Sequence, residues 1–68
     1  MPTQTHITWR FARGQQVRWA AHPEVPWRVW GRRWEEHLLS ASAWYGLAQA
    51  DGPVVQWAAE ADLLPWQG

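Results

Sequence analysis

Histidine, serine and carboxylate side chains are the groups of this chain that could do covalent or metal chemistry, and their spacing favours neither. The three histidines, His6, His22 and His37, stand alone in the sequence. No two lie at i, i+2 or i, i+4, and the absence of cysteine removes any thiolate that could complete a tetrahedral metal site. His37 beside Glu35 and Glu36 comes nearest to a ligand set, but a solvated surface loop accounts for it far better. Ser40 and Ser42 follow His37 closely. A nucleophile, however, needs a base that a third group orients, and the flanking residues form no such turn. Glu35 and Glu36 are adjacent and point in different directions in a strand or a helix, so local geometry makes no acid–base pair of them. The five glycines are scattered and build no phosphate-cradling loop. The expectation is a non-enzymatic chain with no catalytic residue, no metal and no cofactor.

Tryptophan and arginine remain. Eight tryptophans (Trp9, Trp19, Trp27, Trp30, Trp34, Trp44, Trp57 and Trp66) stand in 68 residues. Burying one aromatic side chain removes about 150–250 Å² from water, and a domain this small has room inside for roughly three or four. The others are expected at the surface, where large apolar rings mark contact with a partner. Every cation is an arginine. Residues 1–34 hold six arginines and one glutamate, and residues 35–68 hold five acids and no cation, so the halves carry +5 and −5 while the whole is neutral. Neighbouring strands could pair Arg with Glu at little gain, or the charges could form one basic and one acidic face.

These side chains must be positioned by short elements. Gly14, the stretch His22-Pro23-Glu24-Val25-Pro26, the Glu35-Glu36 region and Asp51-Gly52-Pro53 break the chain into runs of about five to eight residues rich in Val, Trp and Tyr. Such spacing predicts antiparallel strands near 15–20, 27–34, 42–48 and 54–58, with a further one around 7–11. Trp34 to Ala41 has helix formers and predicts one helical turn or a long loop. Ala58 to Leu64 is helical in composition, but Pro65 stops it, which predicts one turn of 3-10 geometry and a short final strand. The chain is read as a single domain over 1–68 with its core in 11–65, residues 1–6 and 66–68 forming looser ends. Leu38 to Ala50, the longest uncharged stretch, is too short and polar to cross a bilayer. Residues 1–6 lack a basic region followed by an apolar run. A soluble cytoplasmic protein without membrane contact is expected.

Phe11-Ala12-Arg13-Gly14-Gln15-Gln16-Val17 resembles the opening of small SH3-like barrels, in which an aromatic, a turn glycine and a valine start the first strand. Trp27-Arg28-Val29-Trp30-Gly31-Arg32 looks like their second strand and Trp44-Tyr45-Gly46-Leu47 like their third. Val55 to Pro65 resembles the closing strand with its Glu60-x-x-Leu63-x-Pro65 ending. The resemblance covers residues 11–65 and extends to the Tudor and KOW neighbourhood and to short barrels of bacteria and their phages. It implies an all-β, SH3-like barrel of about five antiparallel strands with one short helical or 3-10 turn. That architecture serves many unrelated ligands, so it transfers no activity. The acidic loop and tyrosine pair of eukaryotic peptide-binding SH3 domains are missing, which argues against proline-rich ligands.

Strand alternation divides the side chains. Val17, Trp19, Trp27, Val29, Tyr45, Leu47, Val55 and Trp57 are expected inside. Arg18, Arg28, Trp30, Arg32, Trp44 and, if the strand stays regular, Trp34 then face outward as an interleaved arginine–tryptophan surface. Either the arginines merely cover the rings, a contact of about 0.5–1 kcal/mol when exposed, or the surface binds. A protein partner is favoured, because Trp and Arg dominate interface hot spots. Single-stranded nucleic acid is the alternative, through bases stacked on indoles and an arginine stripe along the backbone; zero net charge and the absence of lysine speak against it. Self-association through the tryptophans, as a monomer or weak homo-oligomer, is the third reading.

Overall fold

The structure, a computed structural model, describes residues 8–49 and 52–67. Five strands run in chain order: β1 (Gln16–Trp19), β2 (His22–Glu36), β3 (Ala41–Ala48), β4 (Val54–Ala59) and β5 (Leu63–Pro65). A 3-10 turn, Glu60–Asp62, joins β4 to β5. All neighbours pair antiparallel in one sheet of order β4-β3-β2-β1-β5. The all-β expectation therefore holds, including the 3-10 turn and the short last strand. The ladder does not close into a barrel, since β4 and β5 are its two edges.

Three local expectations are corrected. The predicted break at 22–26 lies inside β2, which runs through Pro23 and Pro26. Trp19 pairs His22 and Val17 pairs Trp27, so the residues between are looped past β1 in a bulge and need no ladder N–H there. The stretch 34–41, expected as one helical turn or a long loop, is instead a hairpin with a short loop. Glu36 pairs Ala41, and the four-residue loop His37 to Ser40 is held by the His37 N–H donating to the Ser40 carbonyl at 2.7 Å. Among residues 8–11 no strand forms; Ile7, the start of the proposed first strand, lies outside the described residues.

The core collects Phe11, Val17, Trp27, Val29, Ala43, Tyr45, Leu47, Ala58 and Leu63, with Trp9, Trp19, Val25 and Trp34 packed against it. Of the expected inward set, Val17, Trp27, Val29, Tyr45 and Leu47 are buried, Trp19 is half-buried, and the side chain of Val55 is outside the described set. Trp57 is not core: it is 39% exposed, and Ala58 takes the interior place. Phe11 and Leu63 complete the interior from outside that set.

Tyr45 fastens the ends of the sheet together. Its buried hydroxyl accepts the backbone N–H groups of Arg10 (3.1 Å) and Phe11 (3.4 Å) and donates to the Glu60 carboxylate. Trp9 and Phe11 meet the Tyr45 ring edge-on at 5.9 and 5.4 Å. One side chain thereby ties the segment before β1 to β3 and to the 3-10 turn. Burial, and the hydrogen bond to Glu60, push the Tyr45 phenol above its ordinary value of 10.0.

Candidate functional site: a tryptophan–arginine cleft at a bulge in β2

The site begins with an extra residue. Val29 pairs Leu47 and Gly31 pairs Gly46, so Trp30 has no partner position on β3 and forms a bulge. A bulge inserts one residue and reverses which side chains point to which face beyond it. Past Trp30, Arg32 lies opposite buried Tyr45 and Trp34 opposite buried Ala43, on the core side. Arg33 lies opposite Trp44 on the other face, where Trp57 pairs Gly46.

The predicted outward face is consequently split. Arg32 and Trp34 are drawn to the core side, where Trp34 meets Trp9 edge-on at 6.1 Å. Trp44 is half-buried on the opposite face. Its Nε1 and that of Trp34 are buried without an acceptor among the described residues. Arg18 lines a separate groove with Leu64, Pro65 and Gln67. Arg28 is exposed and apart. Only Trp30 and Arg32 of the expected set meet, and Trp9 and Arg13 join them.

These four and Gly31 line an open cleft of about 320 Å³. Each wall has a local cause. The turn Ala12 to Gln15 is closed by the Gln15 N–H donating to the Ala12 carbonyl at 3.1 Å, with Gly14 at φ +90°, a conformation that suits glycine. That turn presents Arg13. The Gly14 N–H donates to the Val29 carbonyl at 2.7 Å, bringing the turn against β2 beside the bulge. Arg32 lies over the Trp9 ring at 4.8 Å and donates to the Phe11 carbonyl at 3.4 Å, which fixes the second wall. No acid lines the cleft.

Three more arginines lie over aromatic rings. Arg10 lies over Phe11 (5.1 Å), Arg18 over Trp66 (5.6 Å) and Arg33 over Trp57 (5.2 Å). The Trp66 N–H also donates to the Gln16 carbonyl, so Trp66 is packed on β1. Among the described residues the ion pairs are His22–Glu24, Arg33–Glu35 and Glu35–His37, all exposed and none between an arginine and an acid of neighbouring strands. Four of the six arginines lie over rings instead. Trp30 differs: it is 68% exposed, with no guanidinium over it.

Such a cleft can grip a flat or aliphatic group between indoles and neutralise one or two anionic oxygens at its rim. Among the described residues no three His, Asp or Glu side chains gather around a point that could hold a metal ion. No helix there is long and apolar enough to cross a membrane. Comparison with family models, curated proteins and solved structures finds no match to this chain.

Sequence reasoning missed Trp9 and Arg13. Arg13 had a signal, its place before the turn glycine; Trp9 had none beyond its type.

Proposed function

We propose that the chain is a non-catalytic binding module that holds another protein in the cleft of Trp9, Arg13, Trp30, Gly31 and Arg32. The observation that carries this reading is the bare Trp30 indole in a molecule that lays arginines over Trp9, Trp57 and Trp66. Water-exposed indole beside guanidinium is the composition of interface hot spots, where truncation costs about 2 kcal/mol or more. The five-stranded sheet with a 3-10 turn before its last strand supports the SH3-like assignment. The resemblance suggests a small accessory protein of a bacterium or phage.

Single-stranded nucleic acid is the second reading, favoured by two indoles and two guanidiniums in a cleft without an acid. Each base stacked on an indole contributes about 1–3 kcal/mol. Zero net charge weighs against it.

Immobilised wild-type chain, Trp30→Ala and Arg13→Ala should be compared as baits in lysate. The expected result is a protein retained by the wild type and lost from both variants, whose melting curves stay close to wild type. Retention of the same proteins by all three contradicts the reading. Saturable fluorescence quenching by oligothymidine, abolished by moderate salt, moves the function to nucleic acid.

A further inference from the structure

The β2–β3 hairpin ends in two leucines that nothing covers. Leu38 is 97% and Leu39 94% exposed, although the loop that bears them is closed by the His37–Ser40 hydrogen bond and flanked by paired strands. An ordered loop thus presents an adjacent apolar pair to water, where a tip of small polar residues is the common solution. Acids flank the pair. Glu35 is engaged by Arg33 and His37, whereas Glu36 has no ion-pair partner among the described residues.

The cleft carries the opposite features: two indoles, two arginines and no acid. Among the described residues Arg13 neither covers a ring nor pairs with a carboxylate. The tip cannot fold back into its own cleft. Leu38 lies six to eight positions beyond Arg32 and Trp30 along β2 and its loop, and a strand spans about 3.3 Å per residue, which separates tip and cleft by roughly 20 Å or more.

Resting on the reading of the cleft as a protein-binding site, we propose that its occupant is the hairpin tip of a second copy of this chain. Leu38 and Leu39 enter between Trp9 and Trp30, and Glu36 meets Arg13. Each copy has one tip and one cleft, so the contact is head-to-tail and propagates into open chains or rings instead of stopping at a symmetric pair. Attraction between Glu36 and Arg13 makes the assembly weaken as salt rises.

Sedimentation velocity tests it with wild type, Trp30→Ala and the double variant Leu38→Asp/Leu39→Asp, at up to about 1 mM protein and about 50 mM salt. Wild type should sediment faster as concentration rises, and each variant alone should stay monomeric. An equimolar mixture should form a one-to-one dimer and nothing larger, because only one intact tip–cleft pair remains. Arg13→Glu replaces Trp30→Ala as the cleft variant should the latter melt early. A wild type that stays monomeric, variants that associate alone, or a mixture without dimer each overturn the proposal. A monomeric wild type whose lysate partner is still lost on Trp30→Ala overturns this occupant and leaves the cleft as a binding site.

Discussion

At the scale of single residues, the same side-chain types do opposite work according to what lies beside them. Trp27 is interior, and its Nε1 donates to the His22 carbonyl at 3.1 Å, so both its ring and its handle are used. Trp30 is neither enclosed nor covered. Tyr45 is the residue on which the ends of the fold meet, and its chemistry gives a clean pH prediction. With no lysine and no cysteine and a single tyrosine, it is the one side chain of the sequence whose ordinary pKa lies near 10. Its pKa is raised in the folded state, so the folded chain holds the proton more tightly than the unfolded one. That contribution is fully present below about pH 10 and is lost as pH rises through the folded value. Chemical denaturation between pH 8 and 12 should show the wild type losing stability above pH 10, and Tyr45→Phe, less stable at neutral pH by about 1 kcal/mol or more, should lose much less over that range. Parallel alkaline curves for the two proteins contradict the role given to the hydroxyl.

At the scale of elements, β2 decides what the sequence could and could not show. The alternation from Trp27 to Val29 is readable and correct. Beyond it, regular alternation places Arg32 and Trp34 outward and makes no allowance for the extra residue at Trp30. A bulge depends on how β2 meets β3, which lies outside any window of β2 itself. The same blindness put Trp57 in the core. Its true place follows from two glycines beneath the indole: a Cβ added at Gly46 would come within 3.2 Å of the ring, and one added at Gly31 within 3.6 Å. Turn chemistry, by contrast, is local and was legible, as at Gly14 and at the 3-10 turn before Pro65. The prolines in 22–26 misled because their meaning depends on whether a partner strand needs their N–H. Two truncations measure the revised assignment. Trp27→Ala should cost about 3–5 kcal/mol, most of the stability available to so small a domain, and leave little folded chain. Trp57→Ala should cost clearly less and keep a cooperative melt. Equal losses contradict the placement of Trp57 on the outer face.

At the scale of the molecule, an open sheet of five strands is held by one core and by arginines lying across aromatic rings. Pro53 precedes one edge strand and Pro65 ends the other, which blunts both against pairing with another sheet. The cleft at the bulge, not an edge, is therefore the surface proposed for contact. The expectation that indoles outnumber interior places is met in a graded way: Trp27 is buried, Trp9, Trp19, Trp34, Trp44 and Trp66 are half-buried, and Trp57 and Trp30 are exposed. Everything proposed for the cleft depends on Trp30 standing outside the fold. Acrylamide quenching of wild type against Trp30→Phe tests that most directly. The substitution should remove the most readily quenched part of the emission and leave the melting curve unmoved. An unchanged quenching profile, or loss of the cooperative melt, would contradict the account.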